Sequence, residues 1–238
     1  MTTLLKPRGI VVHLTASTYG DAKQIDEWHK AQKWSGIGYH MVVLNGVRRQ
    51  GDQYNPALDG TVEKGRSEKI QGAHCKANSM NSCTLGISCI GTPNKVPANA
   101  EKAPAQATVK PYLTKKQFQA LVTCLAQWCI KYQLNPSSTF VHPTTGVKHA
   151  VLTQHSKHDA EKPFCASLGM DFVRQEVAKA ISRMSEESIL VLEGAELETP
   201  VPRDLALPEF SLPIGGEEGP SEPESDLPPV SQQAPLVL

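Results

Sequence analysis

Trp28–Val43 reads WHKAQKWSGIGYHMVV, and its three parts set the pattern for the whole chain. Charged and apolar residues at helical spacing run into a pair of glycines, Gly36 and Gly38, and an apolar stretch, His40–Leu44, follows. That is the end of an amphipathic helix, a tight turn and the start of a buried strand. Tyr39 falls at the junction of turn and strand, where its ring can pack while its hydroxyl faces a cleft.

Upstream, Asp21 and Gln24 fit a capping box for a helix ending near Trp34, with Ile25, Trp28 and His29 as its inward stripe. Ile10–Leu14 (IVVHL) is a second apolar run and carries His13; taken alone, a strand histidine reads as a satisfied core residue. Downstream, Asn45-Gly46 is a hairpin signal leading into Val47–Gln50. Gln53–Asp59 reads as a loop and Thr61–Lys64 as a short strand. Thr84–Ile90 alternates small and apolar residues, as a central strand does. Pro93–Pro111 is an exposed excursion rich in Pro, Ala and Lys. Thr114 and Gln117 form a second capping box, and Phe118, Leu121, Val122, Leu125, Cys129 and Tyr132 follow at helical spacing. Asn135–Lys148 reads as a loop, Ala150–Thr153 as a short strand, and Asp171–Met184 as a last helix.

The chain has 238 residues, enough for one full domain and an appendage, and a formal net charge of zero. The zero hides an asymmetry. Residues 186–238 hold 12 acidic residues and one basic residue, Arg203; residues 1–185 hold the other 23 basic and 12 acidic ones. A basic body suits an anionic polymer, and an acidic tail suits solvation or self-masking. The tail is rich in Pro, Glu and Ser, and we expect residues 186–238 to be disordered, with Ser188–Leu192 able to pack locally. Met1–Gly9 has no apolar core of signal-peptide length and no segment has the length of a membrane span, so synthesis in the cytoplasm is expected, without membrane insertion. The six cysteines do not fit a small secreted framework in a chain this long, and are expected to be mostly buried free thiols.

Candidate chemistry lies at both ends of the body. Gly72–Cys83 is a polar loop without periodicity, the kind of segment that carries binding residues on a rigid sheet. His13 ends an early strand, and His155 and Cys165 bracket the late segment HSKHDAEKPFC. Two histidines and a cysteine at element ends match a catalytic zinc set, with three protein ligands and the fourth position open. A structural zinc would call for four protein ligands, often in Cys-x-x-Cys pairs, and none is present. His158 is a rival to His155. His29 reads as a helix-surface or packing residue, His40 as a packing residue beside the sheet, His142 and His149 as solvent-facing loop residues, and Trp28 and Trp34 as core.

The blocks HLTAS, WHKAQKWSGIGYHMVV, DGTVEKGR, GAHCKANSMNS with GISCIG, LTKKQFQALVTCL and HSKHDAEKPFC occur in this order. In that series the chain resembles the zinc N-acetylmuramoyl-L-alanine amidases, above all the phage lysozymes that cut an amide bond, with which the peptidoglycan recognition proteins share a fold. The resemblance covers roughly Gly9–Met184. It implies an α/β fold: a single domain with a central mixed β-sheet flanked by helices, and a zinc in a groove across one face. It places the zinc ligands on His13, His155 and Cys165, the catalytic tyrosine on Tyr39 and the catalytic lysine on Lys162. His74 of the GAH block falls on the groove wall as a substrate contact, with Asn81 beside it. The departures are a lysine three rather than two residues before the cysteine, a longer His155–Cys165 spacing that keeps His158 in contention, and Ala166 where a proline is usual.

The implied reaction is hydrolysis of the amide between N-acetylmuramic acid and L-alanine of bacterial peptidoglycan, with zinc polarising the carbonyl and Lys162 and Tyr39 stabilising the oxyanion. The resemblance also leaves room for a peptidoglycan-binding module that does not cut, or a cytosolic amidase recycling soluble muropeptides; Cys165 favours an enzyme. The implied partner is peptidoglycan, reached in the periplasm or outside the cell after lysis or signal-less export. Neither nucleic acid nor a second copy of the chain is expected, and an immunity or regulatory partner is left unassigned.

Overall fold

Thr84–Cys89 (TLGISC) is β4, the middle strand, and its alternation records its surroundings. Leu85, Ile87 and Cys89 point into the main core beneath the two long helices, whereas Thr84, Gly86 and Ser88 leave the other face shallow. The described residues are 2–4, 6–110 and 112–195, with side chains through Glu186, in a computed structural model. Around β4 lie β1 (Gly9–Leu14), β2 (Met41–Asn45), β3 (Asp59–Lys64) and, past the hairpin β5 (Thr139–Val141) and β6 (Lys148–Ala150), β7 (Leu152–Gln154). The five-stranded order is β3-β2-β4-β1-β7. β1 runs parallel to β4 and β7, β2 runs parallel to β4, and only β3 is antiparallel to its neighbour. The sheet is mixed, as expected.

Helices cover both faces. α1 (Ala22–Ala31) buries Ile25 and Trp28 against Ile37, Tyr39, Val42 and Leu44. α2 (Lys115–Tyr132) and α3 (Met170–Ala195) cover the other face, where Ile10, Val12, Leu14, Leu85 and Ile87 meet Leu121, Leu125, Trp128, Val173 and Val177. Each such aliphatic side chain contributes about 1.5–3 kcal/mol when fully buried. The capping box at Thr114 and Gln117 is complete. Gln117, fully buried, extends it: its Nε2 donates to the carbonyls of Val43 at 3.2 Å and Ile90 at 2.9 Å, tying the start of α2 to the sheet. Thr114 Oγ1 also donates to Asp59 at 2.6 Å.

Several expectations need correction. The Asp21 cap is half a box: Asp21 accepts from Gln24 N at 2.8 Å, but the Gln24 side chain donates to Glu27. α1 ends at Ala31 rather than near Trp34, because Lys33 takes the left-handed conformation at φ +65°. Val47–Gln50 is no strand. Asn45 Oδ1 accepts from Val47 N and its Nδ2 donates to Thr18 O, so the chain turns into a loop and β2 pairs with β3 instead. Asn135–Lys148 contains β5, which pairs with β6 as a separate hairpin. α3 runs to Ala195, so the compositional boundary after Ser185 falls inside a helix. The remainder of the tail, with its expected disorder, lies outside the described residues. All six cysteines are buried free thiols, in line with the expectation from their number and the length of the chain.

Candidate metal centre

Parallel strands that sit side by side end side by side. Val12 of β1 is in register with Gln154 of β7, so the next residues along the two strands are His13 and His155. Their ring centroids are 4.7 Å apart. The 3-10 turn His155–Lys157 and the loop beyond it bring Cys165 back beneath them: Ser156 N donates to the Cys165 carbonyl and Cys165 N donates to the carbonyl of Lys162. Cys165 Sγ lies 3.8 Å from His13 Nδ1 and accepts from Leu14 N at 3.4 Å. One ligand atom from each of His13, His155 and Cys165 lies within 4.8 Å of the others, and all three residues are buried.

These donors fit zinc. A tetrahedral ion with bonds of about 2.0 Å to nitrogen and about 2.3 Å to sulfur holds those ligand atoms roughly 3.6 Å apart, close to the separation seen between His13 and Cys165. Among the described residues His155 Nδ1 is buried with no hydrogen-bond partner, an acceptor left open beside the other two. Burial pushes both histidines below the usual imidazole range, which keeps them neutral, and pushes the Cys165 thiol up to about 11. The structure brings His155 rather than His158 to the cluster. His158 lies behind it, with Nε2 on Thr153 Oγ1 at 3.2 Å and Nδ1 near Asn78 Nδ2 at 3.4 Å.

A cleft of about 580 Å3 opens beside the cluster, lined by Trp34, Tyr39, His74, Asn81, His155, Asp159 and Lys162 among others. Tyr39 is buried, its ring 5.1 Å from that of His13, and burial holds its phenol well above the usual range and so protonated. His74 is on the wall, yet both its ring nitrogens are engaged inside the protein: Nδ1 with His13 Nε2 at 3.0 Å and Nε2 with the Thr84 carbonyl at 3.3 Å. Asn81 Oδ1 accepts from the backbone N–H groups of His74 and Cys75 at 2.8 and 2.7 Å. Lys162 reaches the cleft despite its offset from the cysteine.

Sequence reasoning missed Asp159, whose carboxylate lies 3.7 Å from His155 Nε2; its position four residues after His155 was the available signal. Trp34, expected in the core, is 42% exposed at the cleft rim with its ring 4.6 Å from that of His29, a consequence of the early end of α1. His142, expected to face solvent, is buried; its Nδ1 accepts from Thr144 N and Thr145 N. The DGTVEKGR block is structural: Glu63 accepts from Ala22 N and Arg48, and Arg66 donates to the carbonyls of Ile37 and Gln71.

An α/β domain with two imidazoles and a thiol converging beside a cleft defines a candidate zinc hydrolase. Residues 3–163 match the model of the N-acetylmuramoyl-L-alanine amidase family, which covers well over half of the chain, and the chain belongs to that family. Cys165 lies just beyond the matched stretch, so its place in the cluster rests on the geometry. The endolysin of Enterobacteria phage T3 is 33% identical over 111 residues, 42% of this chain and 62% of that protein. The endolysin of Klebsiella phage KP32 is 29% identical over 148 residues, 62% of this chain and 70% of its own length. The chain thus spans about three-fifths of the first of these relatives. The N-acetylmuramoyl-L-alanine amidase LysC from Clostridium intestinale URNW shares the fold, with a TM-score of 0.50 and 22% identity over 73% of this chain and 86% of that one. Among the described residues no helix is long and apolar enough to cross a membrane.

Proposed function

We propose that this chain is a zinc-dependent amidase that hydrolyses the bond between N-acetylmuramic acid and L-alanine in peptidoglycan, as an endolysin does at the cell wall. The observation that carries this reading is the convergence of His13, His155 and Cys165 beside a cleft in a chain of this family. Those three residues would hold the ion. When bound, zinc supplies Lewis acidity toward a carbonyl oxygen and lowers the pKa of water.

The protein's own groups supply the rest. Tyr39, kept protonated by burial, donates a hydrogen bond to the oxygen that gains negative charge as the carbonyl becomes tetrahedral. The Lys162 ammonium adds a positive charge from the cleft wall. The attacking water loses a proton as its oxygen bonds to carbon; the carboxylate of Asp159, one of the residues lining the cleft, accepts that proton in this reading. The same proton passes to the nitrogen of L-alanine as the carbon–nitrogen bond breaks, which frees the amine and the lactyl carboxylic acid. Trp34 at the rim and Asn81 on the wall border the space where the substrate lies.

A chelation test separates this enzyme from a protein of the same fold that only binds the polymer. Loss of peptide release from sacculi after zinc removal, restored by stoichiometric zinc, is the expected result. Undiminished sacculus binding with no peptide release at any zinc concentration would leave a binding module.

A further inference from the structure

His74 is 7% exposed, and no ring nitrogen is left over for a substrate, although its sequence block reads as a groove wall. The direction of its hydrogen bonds is fixed by chemistry. The Thr84 carbonyl only accepts, so His74 Nε2, 3.3 Å away, carries a hydrogen. A neutral imidazole protonated there has an acceptor at Nδ1. The contact at 3.0 Å then requires His13 Nε2 to be the donor. With its hydrogen on Nε2, neutral His13 presents an unprotonated Nδ1, the atom 3.8 Å from Cys165 Sγ.

We propose that His74 is a positioning residue for the metal centre, and that the chain Thr84 C=O···His74···His13 locks the tautomer and ring orientation in which His13 Nδ1 is ready to bind the ion. This rests on the reading of His13 as a ligand. The carboxylate or carbonyl that commonly backs a metal-bound histidine is here replaced by a second imidazole that relays a carbonyl's direction.

The surroundings are cut to admit that ring. A Cβ at Gly86 would lie 2.4 Å from His74 Cγ, and one at Gly72 would lie 2.3 Å from His74 Cδ2. The alternation of β4 therefore has a purpose at Gly86: on this face the space of a side chain is given to His74. Asn81 fixes the backbone of the loop by accepting from both His74 N and Cys75 N. His40 packs edge-on at 5.7 Å between ring centroids, and its own nitrogens are engaged with Gly86 N and the Ile70 carbonyl.

The test uses the full chain. Nitrogen-15 NMR of wild-type imidazoles, zinc-free and zinc-loaded, should show a proton on Nε2 of both His13 and His74; a proton on His74 Nδ1, or on His13 Nδ1 in the zinc-free protein, overturns the proposal. Zinc affinity by chelator competition should fall about 10–100-fold in His74→Phe and recover in part in His74→Gln, which restores an acceptor for His13. Wild-type affinity in a folded His74→Phe also overturns it, and if that variant does not fold the wild-type tautomers decide alone. A wild-type protein that takes up no zinc would overturn the ligand assignment itself, a result distinct from either of these.

Discussion

Zinc uptake should release one proton per ion near neutral pH, and zinc affinity should rise about tenfold per pH unit between pH 7 and 8. Burial holds His13 and His155 below the usual imidazole range, so both already offer lone pairs at pH 7. The thiol of Cys165 is pushed up to about 11 by the same burial, in spite of the Leu14 N–H that favours the thiolate. Metal binding requires the thiolate. At pH 7 the thiol sits about four units below its pKa, and removing its proton costs about 5 kcal/mol of the intrinsic zinc affinity at 1.36 kcal/mol per unit. Each unit of rising pH returns one unit of that cost. Isothermal titration in buffers of different ionisation enthalpy counts the protons, and chelator competition at pH 7.0, 7.5 and 8.0, corrected for the chelator's own protonation, gives the slope. Cys165→Ala should release no proton and bind zinc far more weakly. A slope near zero in the wild type would mean that the thiol is already ionised without metal. A slope near two would mean that a second group, a ligand histidine or a water held by the ion, also gives up a proton on binding. Either refutes the reasoning.

Tyr39→Phe and Lys162→Ala should each lower peptide release by about 10²–10³-fold at unchanged zinc affinity, since they act on developing charge and are not ligands; a fully active Lys162→Ala would mean that its offset from Cys165 moves it off the reacting oxygen. Gln117→Ala should cost about 2–4 kcal/mol, from half a capping box and the buried Ile90 carbonyl left without its amide donor, while the Val43 carbonyl keeps its bond from Ile90 N, and should lower Tm by about 5–15 °C for a domain of this size; a calorimetric loss below about 1 kcal/mol would show that water replaces the amide. A chain ending at Ala195 should bind sacculi more tightly than the full chain at low salt and equally at high salt, because the acidic tail competes with an anionic polymer through screened charges; pull-down across a salt series checks it, and equal binding throughout would make the tail a spacer.

The parts of the fold that were legible are those with one dominant local signal. Ile10–Leu14 is an apolar run because a parallel strand inside the sheet is covered on both faces, Thr84–Ile90 shows a central strand by its alternation of small and apolar residues, and α2 shows its stripe and its cap. The failures occur where a side chain answers to a distant neighbour. Asn45-Gly46 has the composition of a hairpin turn, but Tyr54 and the Asn55 carbonyl fill the space beside Gly46, and the segment packs as a loop. Trp34 left the core because Lys33 ended α1 early. His142 looked like a loop histidine because nothing in sequence announces that the backbone of Thr144 and Thr145 will fold over its ring.

The site divides in the same way. His13, His155 and Cys165 were named from spacing and family blocks, and the register of β1 with β7 explains why residues so far apart in sequence meet. The choice between His155 and His158 was open in sequence, since both lie in one polar segment; the cluster includes the one that directly follows β7. The engagement of His74 with His13 was invisible, because it depends on the absence of side chains at Gly72 and Gly86.

The identity of the bond cut tests the central claim most directly. Purified, zinc-loaded protein is incubated with intact sacculi, and the soluble products are separated and identified by mass spectrometry, with new α-amino groups and reducing ends counted in parallel. The account predicts stem peptides that begin with a free L-alanine amine, glycan strands bearing intact N-acetylmuramic acid carboxylates, and no new reducing ends. New reducing ends without free alanine amines would mean a glycosidase, and would contradict it.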